Sequence, residues 1–228
     1  MLVPTLRSVS RAAARATAAG IDVEVVIVLD RATSTTSDVA NEYAPQARVI
    51  SVNDGDLGLA RNAGIAVANG EWIALIDGDD LWGPSWITTA VSAASNDSRN
   101  VIWHPQYSVY FDTQEYIYEH VDSESDDFDI NFLLFANYWT SAAFAKRSTF
   151  IDNPYQHADR KSMFGYEDWN WNCRTIEAGY LHKVAAGSVH FIRRRTQSMS
   201  RVMLSGNAMC IPHTLFRSLR MKPLSAGL

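Results

Sequence analysis

The chain has 228 residues, 47% of them hydrophobic, which is enough for one domain with a substantial core. Twenty Lys and Arg against twenty-five Asp and Glu leave a net charge of −5, so no global basic field holds a nucleic-acid backbone and any anion must be bound locally. No apolar run approaches the roughly 18 residues of a membrane span and no basic-then-apolar leader opens the sequence, while the widely separated Cys173 and Cys210 argue against a disulfide framework and fit a cytoplasmic, reducing compartment.

In chain order, the Ala- and Arg-rich residues 7–20 predict a helix with a glycine stop at Gly20. Residues 23–30, VEVVIVLD, are a β-branched run closed by Asp30 and read as a central strand of a parallel sheet, buried on both faces. Cap residues and a short helix follow at 33–44, a strand at 47–52, a helix over 58–70 and a strand over 71–77. Alternation of strand and helix over the first 80 residues is the signature of a doubly wound α/β sheet, whose ligands gather beyond the carboxyl ends of the strands. Asp30 and Asp77 both fall at that edge. Beyond Pro84 the sequence predicts a helix near 84–95, strands at 101–111 and 116–121, and an acidic loop at 122–129 with five carboxylates in eight residues. A helix stopped by Gly179 and a strand over 183–195 running into a basic segment complete it.

Residues 73–82, IALIDGDDLW, drive an apolar strand into three carboxylates, Asp77, Asp79 and Asp80. Carboxylates two apart in such a turn suit one hard cation, Mn²⁺ or Mg²⁺, that completes its shell with substrate phosphates. A calcium EF-hand loop would want Asp or Asn where Leu81 stands and Gly where Trp82 stands, and neither a Walker loop nor a GxGxxG is present. The competing reading is acidic capping of the helix near Pro84.

Together the Val-Pro-Thr at 3–5, VVIVLD ending at Asp30, GLARNAGI at 58–65, ALIDGDD at 74–80 and GYEDWNW at 165–171 resemble, in order and rough spacing, the motifs of family 2 glycosyltransferases. The resemblance spans about residues 3–200 and implies the GT-A fold: a Rossmann-like, mixed and mostly parallel central sheet flanked by helices, with an acceptor-binding C-terminal half. Residues 1–98 would form the nucleotide-sugar half and 99–228 the acceptor and catalytic-base half of one domain. The family begins with a strand ahead of its Pro-Thr, and only Met1 to Val3 precede Pro4 here, so that strand is either very short or clipped.

Carried over position by position, the resemblance places Thr5 and Asp30 on the nucleoside pocket and Arg61 near the donor nucleotide, with Asn62 and Gly64 letting their helix approach closely. It puts Asp77 near the ribose and Asp79 on the metal as an Asp-X-Asp pair, with Asp80 as a helper. Transfer of a sugar needs a carboxylate to deprotonate the acceptor and a group to stabilise the departing diphosphate. Asp168 matches the expected general base, with Glu167 beside it. Trp169 and Trp171 are candidates to stack on the acceptor, although residues two apart face different sides of a helix. A family His position falls on Arg195, just before Ser198-Met199-Ser200, and an Arg there grips phosphate oxygens in two-pronged fashion. His190 is the other candidate metal ligand.

The expected activity is a metal-dependent, inverting transfer, of hexosyltransferase type, from a UDP- or GDP-sugar to a saccharide, lipid-linked or protein acceptor, without nucleic acid or a transmembrane segment. Two rival readings are a non-catalytic nucleotide- or sugar-binding protein, against which the Glu167-Asp168 pair argues, and a nucleotidyltransferase, which would show a glycine-rich basic loop near residue 10.

Overall fold

The computed structural model describes residues 1–158, 164–196 and 207–215. Helix α1 (Leu2–Ala18) buries Leu6, Val9, Ala12 and Ala16, three or four apart, so one stripe meets the core. It starts ahead of the Ala- and Arg-rich run because Pro4 sits in its first turn, where a missing N–H costs no hydrogen bond, so Met1 to Val3 form no strand. The predicted stop holds: the helix ends at Ala18 and Gly20 takes φ +79°.

Strand β1 (Val26–Asp30) pairs in parallel with β2 (Arg48–Val52), Val26 opposite Arg48 and Asp30 opposite Val52, with α2 (Ser34–Tyr43) between them in sequence. The expectation of a central strand buried on both faces is corrected here. Only Ile27 and Leu29 of β1 are buried, and among the described residues β1 pairs with β2 alone. Ile27 and Leu29 pack with Leu6 of α1 and Ala40 of α2, while Val28 faces helix α3 (Leu57–Val67). An apolar run reports that helices cover both faces of a strand, not how many strands flank it. Gly64 makes the α3 approach possible, since a Cβ there would lie 2.9 Å from Val28 Cγ2.

The larger sheet runs β3 (Trp72–Ala74), β7 (Phe144–Lys146), β5 (Val101–Asp112), β9 (Leu181–Arg194) and β4 (Leu81–Trp82), with β6 (Tyr116–Glu119) also on β5. The α/β class and the mixed sheet are as expected, with antiparallel pairing where β7 meets β3 and β5, where β4 meets β9 and where β6 meets β5. Among the described residues parallel pairing joins β1 with β2, β5 with β9, and a two-residue pair of β8 (Phe164–Gly165) with β10 (Met209–Cys210). Strand β3 is shorter than predicted; Leu75 still donates to the Ala143 carbonyl at 3.0 Å before the chain turns. Pro105 is tolerated inside β5 because the register with β9 shifts between Pro105 and Tyr107. Helices α4 (Trp86–Ser95), α5 (Arg147–Asp152) and α6 (Glu167–Glu177) follow, α6 stopping before Gly179 at φ +84°. No helix among the described residues is long and apolar enough to cross a membrane.

Between the sheet and α6 lies a line of buried imidazoles. His104 bonds the Ala142 carbonyl at 3.1 Å and, through Nε2, His182 Nδ1 at 2.9 Å; His182 Nε2 meets Thr175 Oγ1 at 2.9 Å. Burial holds His120 and His190 down to about 4 and His182 to about 3, and His104 well below its ordinary value, so all four are neutral in the folded protein at pH 7.

The unfolded chain takes up these protons first, so the stabilisation is held above about pH 6.5 and lost as the pH falls toward 4. Each histidine contributes a slope of up to about 1.4 kcal/mol per pH unit, offset in part by Asp80 and Asp168, whose raised values act in the opposite sense. Urea unfolding between pH 7.5 and 4.5 is expected to show a steadily falling free energy, and a flat profile would contradict the neutral assignment.

Candidate active site

The apolar strand meets its carboxylates in a tight turn, with Asp80 N donating to the Asp77 carbonyl at 3.1 Å. The three acids face three different environments. Asp77 Oδ1 accepts from Arg61 Nη2 at 2.8 Å and Oδ2 from Ser141 Oγ at 3.1 Å, so both oxygens are held by protein. Asp80 is buried, accepts Arg193 N at 2.9 Å and lies 3.5 Å from His190 Nε2. Burial, reinforced by the charge of Asp77, pushes Asp80 up to about 8. Asp79 points elsewhere, with Oδ2 2.5 Å from Arg195 Nη2 at the end of β9.

Arg61, on α3, joins the turn to α6. Its Nη2 grips Asp77, its Nη1 donates to Glu167 Oε1 at 2.6 Å, and its guanidinium lies 5.4 Å from the centre of the Tyr155 ring. The side chain is only 9% exposed. Burial opposes the Arg61 charge, but Asp77 and Glu167 outweigh it and raise its pKa well above the usual value, while Arg61 in turn holds Asp77 low against its own burial. Asn62, next in the helix, exchanges two bonds with the backbone of Tyr155, 2.8 Å from Nδ2 to the carbonyl and 2.9 Å from the amide to Oδ1, which fixes that ring under Arg61.

Helix α6 begins with both acids, Glu167 and Asp168, in its first turn, where the helix dipole favours negative charge. The residue before them, Tyr166, is left-handed at φ 59°, a strained conformation for a bulky side chain. Asp168 Oδ1 accepts Trp169 N at 2.9 Å. Desolvation by the surrounding protein, with the neighbouring Glu167 charge, pushes Asp168 up to about 7, against the pull of Arg61.

Of the residues singled out from the sequence, Arg61, Asp77 and Glu167 are in direct contact, Asp168 adjoins Glu167, and Asp79 meets Arg195. Thr5 is buried and its Oγ1 donates to the Gly78 carbonyl at 3.2 Å, fastening α1 to the turn. Asp30 stands apart, its two oxygens accepting Gly55 N at 2.8 Å and Asp56 N at 3.0 Å, so it shapes the loop ahead of α3. One expectation is corrected. Trp171, 1% exposed, is buried in a cluster with Phe150 and Tyr155 and offers no face to an acceptor, whereas Trp169 is partly exposed, with its Nε1 on the Leu133 carbonyl at 3.0 Å. His190, also 1% exposed, lies against the buried Asp80 and joins no group of three or more potential metal ligands among the described residues. Ser198, Met199 and Ser200 lie outside the described residues.

The profile of glycosyl transferase family 2 matches residues 1–153. The chain belongs to that family. The match ends before α6, so Glu167, Asp168 and Arg195 lie beyond it. Curated relatives include an uncharacterized glycosyltransferase, alr2836, of Nostoc, 41% identical over 89 residues that make up 36% of this chain and 27% of that protein. The succinoglycan biosynthesis protein ExoO of Rhizobium meliloti is 42% identical over 78 residues, 33% of this chain and 22% of that protein. Among solved structures, S. aureus TarS 1-349 in complex with UDP superimposes with a TM-score of 0.61 at 15% identity, covering 85% of this chain and 56% of that one. TarS has also been solved with UDP-GlcNAc, at a TM-score of 0.58. The fold of this family 2 chain is therefore of the GT-A type, and the chain spans about half the length of that neighbour.

Sequence reasoning missed three residues that hold this arrangement in place. Ser141 and Tyr155 reach Asp77 and Arg61 from distant segments, and no local pattern marks them. Asp56, buried, caps α3 through Leu59 N at 2.9 Å and accepts Ala158 N at 2.9 Å; an Asp just ahead of a predicted helix was the available signal. Removing the guanidinium would leave Asp77 and Glu167 facing each other in a desolvated site, so Arg61→Ala is expected to cost about 3 kcal/mol or more. Urea unfolding of Arg61→Ala, Asp77→Asn and the double variant checks this, with the double variant expected to lose less than the sum.

Proposed function

We propose that this chain is an inverting, metal-dependent glycosyltransferase that moves a sugar from a nucleoside-diphosphate donor, of the UDP- or GDP-sugar class, to an acceptor hydroxyl. The observation that carries the reading is the fixed juxtaposition, through Arg61, of an acidic turn with an outward carboxylate, Asp79, and a carboxylate raised to about 7, Asp168. Family membership and the UDP and UDP-GlcNAc complexes of TarS support the donor class.

The donor set fits a hard cation brought in with substrate. No group of three or more His, Cys, Asp or Glu among the described residues forms a protein-only cage. Mn²⁺ or Mg²⁺ commonly binds through one or two carboxylates and completes its shell with phosphates and water. Asp79 supplies that carboxylate, since Asp77 is held on both oxygens and Asp80 is buried. Bound there, the metal would neutralise charge on the departing diphosphate.

The rest of the reaction falls to side chains. Asp168 accepts the acceptor proton as the hydroxyl attacks the anomeric carbon, and a pKa near 7 matches its strength to that task. Glu167 keeps Arg61 charged and in place, and Arg61 keeps Asp77 oriented toward the donor. Trp169, flanking the base, is the stacking surface for an acceptor ring. In this assignment residues 1–98 bind the donor and residues 99–228 supply base and acceptor contacts. A cytoplasmic location fits the two unpaired cysteines.

UDP binding measured by calorimetry is expected to need Mn²⁺ or Mg²⁺ and to be lost in EDTA and in Asp79→Ala; unchanged affinity in both would remove the metal assignment. Asp168→Asn is expected to keep UDP binding while lowering transfer about 10²-fold or more, with Glu167→Gln costing less. Because the base works deprotonated, wild-type kcat/KM should rise with pH through about 7 and level off above it. A wild-type rate in Asp168→Asn would place the base elsewhere.

A further inference from the structure

The contact between Asp79 and Arg195 closes the one outward carboxylate of the turn with a cation already in the chain. Their atoms are 2.5 Å apart, the carboxylate 23% and the guanidinium 38% exposed. The chain just ahead of Arg195 is tied to the turn: Arg193 N donates to Asp80 Oδ1 at 2.9 Å and Arg193 Nε to the Asp79 carbonyl at 3.3 Å, so the end of β9 is fastened there whatever Arg195 does. Arg195 also borders an open cavity of about 370 Å³, together with Asp112, Thr113 and Thr196. Its guanidinium thus stands between a carboxylate and a space into which it can swing.

We propose that Arg195 is a built-in stand-in for the divalent cation, exchanging Asp79 for donor phosphate when the cation arrives. This rests on the reading that Asp79 binds the metal. An ion pair this exposed is weak, so a divalent cation, with twice the charge, displaces the guanidinium at small cost. Once released, Arg195 lies beside the cavity as a two-pronged donor suited to phosphate oxygens. The exchange makes metal and diphosphate binding favour each other, and by linkage the effect is reciprocal. Without metal, Arg195 screens Asp79, so the turn does not stand as a bare anion.

The test compares wild type, Arg195→Ala and Arg194→Ala, which removes the same charge one position away, where the guanidinium lies over Tyr110 and bonds the Tyr116 hydroxyl. Mn²⁺ binding to nucleotide-free protein, followed by the electron paramagnetic resonance of free Mn²⁺, should tighten about two- to fivefold in Arg195→Ala, the fold-change of a weak surface pair. It should stay unchanged in Arg194→Ala. UDP affinity in saturating Mn²⁺, read by calorimetry, should fall in Arg195→Ala. No gain in Mn²⁺ affinity, or an equal gain in Arg194→Ala, overturns the exchange even where Mn²⁺-dependent UDP binding confirms the metal assignment. UDP binding indifferent to Mn²⁺, EDTA and Asp79→Ala overturns both.

Discussion

Arg61 is the residue on which the site depends, because its guanidinium joins the acidic turn to the head of α6. One arm of the guanidinium holds Asp77 at the end of the first Rossmann-like half and the other holds Glu167 at the start of α6. Two carboxylates brought this close and largely removed from water repel each other and resist ionisation unless a cation lies between them. The position of α6, and with it that of Asp168, is thereby tied to the geometry of the acidic turn. Tyr155 below and Asn62 beside it leave Arg61 little choice of rotamer, so the strut is rigid.

The same arrangement separates the three acids that the sequence crowds into four positions. Asp77 turns inward to Arg61 and Ser141, Asp80 is buried against His190 and the Arg193 amide, and Asp79 alone faces an exposed cation. A buried strand ends in negative charge because each charge has its own destination. The run IALIDGDDLW is a strand end, an ion-pair anchor and an outward carboxylate in succession.

Much of this was legible from residue order. The helices α3 and α6 announce themselves by spacing and by stops, and Gly64 by its place in GLARNAGI; their contacts with Val28 and Arg61 follow from that placement. What the sequence could not carry were relations between segments far apart. Ser141 lies 64 positions from Asp77, and nothing around it differs from any loop serine. The roles of Trp169 and Trp171 differ because alternate positions on a helix face opposite ways, but which of the two faces the core depends on Phe150 and Tyr155, which sequence spacing does not reveal. His190 has the chemistry of a ligand in its side chain, and its neighbour in the fold is the buried Asp80, a pairing that spacing does not reveal. Strand β1 misled for a related reason: its apolar run is satisfied by helices on both faces, which looks the same in sequence as a strand flanked on both edges.

The elevated carboxyls also alter how the molecule appears to an incoming anion. A formal charge of −5 counts Asp80 and Asp168 as fully ionised. Burial raises both well above the usual carboxylate range, so part of that formal charge is neutralised by bound protons at neutral pH. Those protons sit at the acidic turn and at the head of α6, the places where the sequence concentrates its carboxylates around Arg61. Burial therefore acts as a local charge filter: the mouth is electrostatically milder than its composition, and the long-range field that governs encounter is set by the remaining, solvent-screened acids of the periphery.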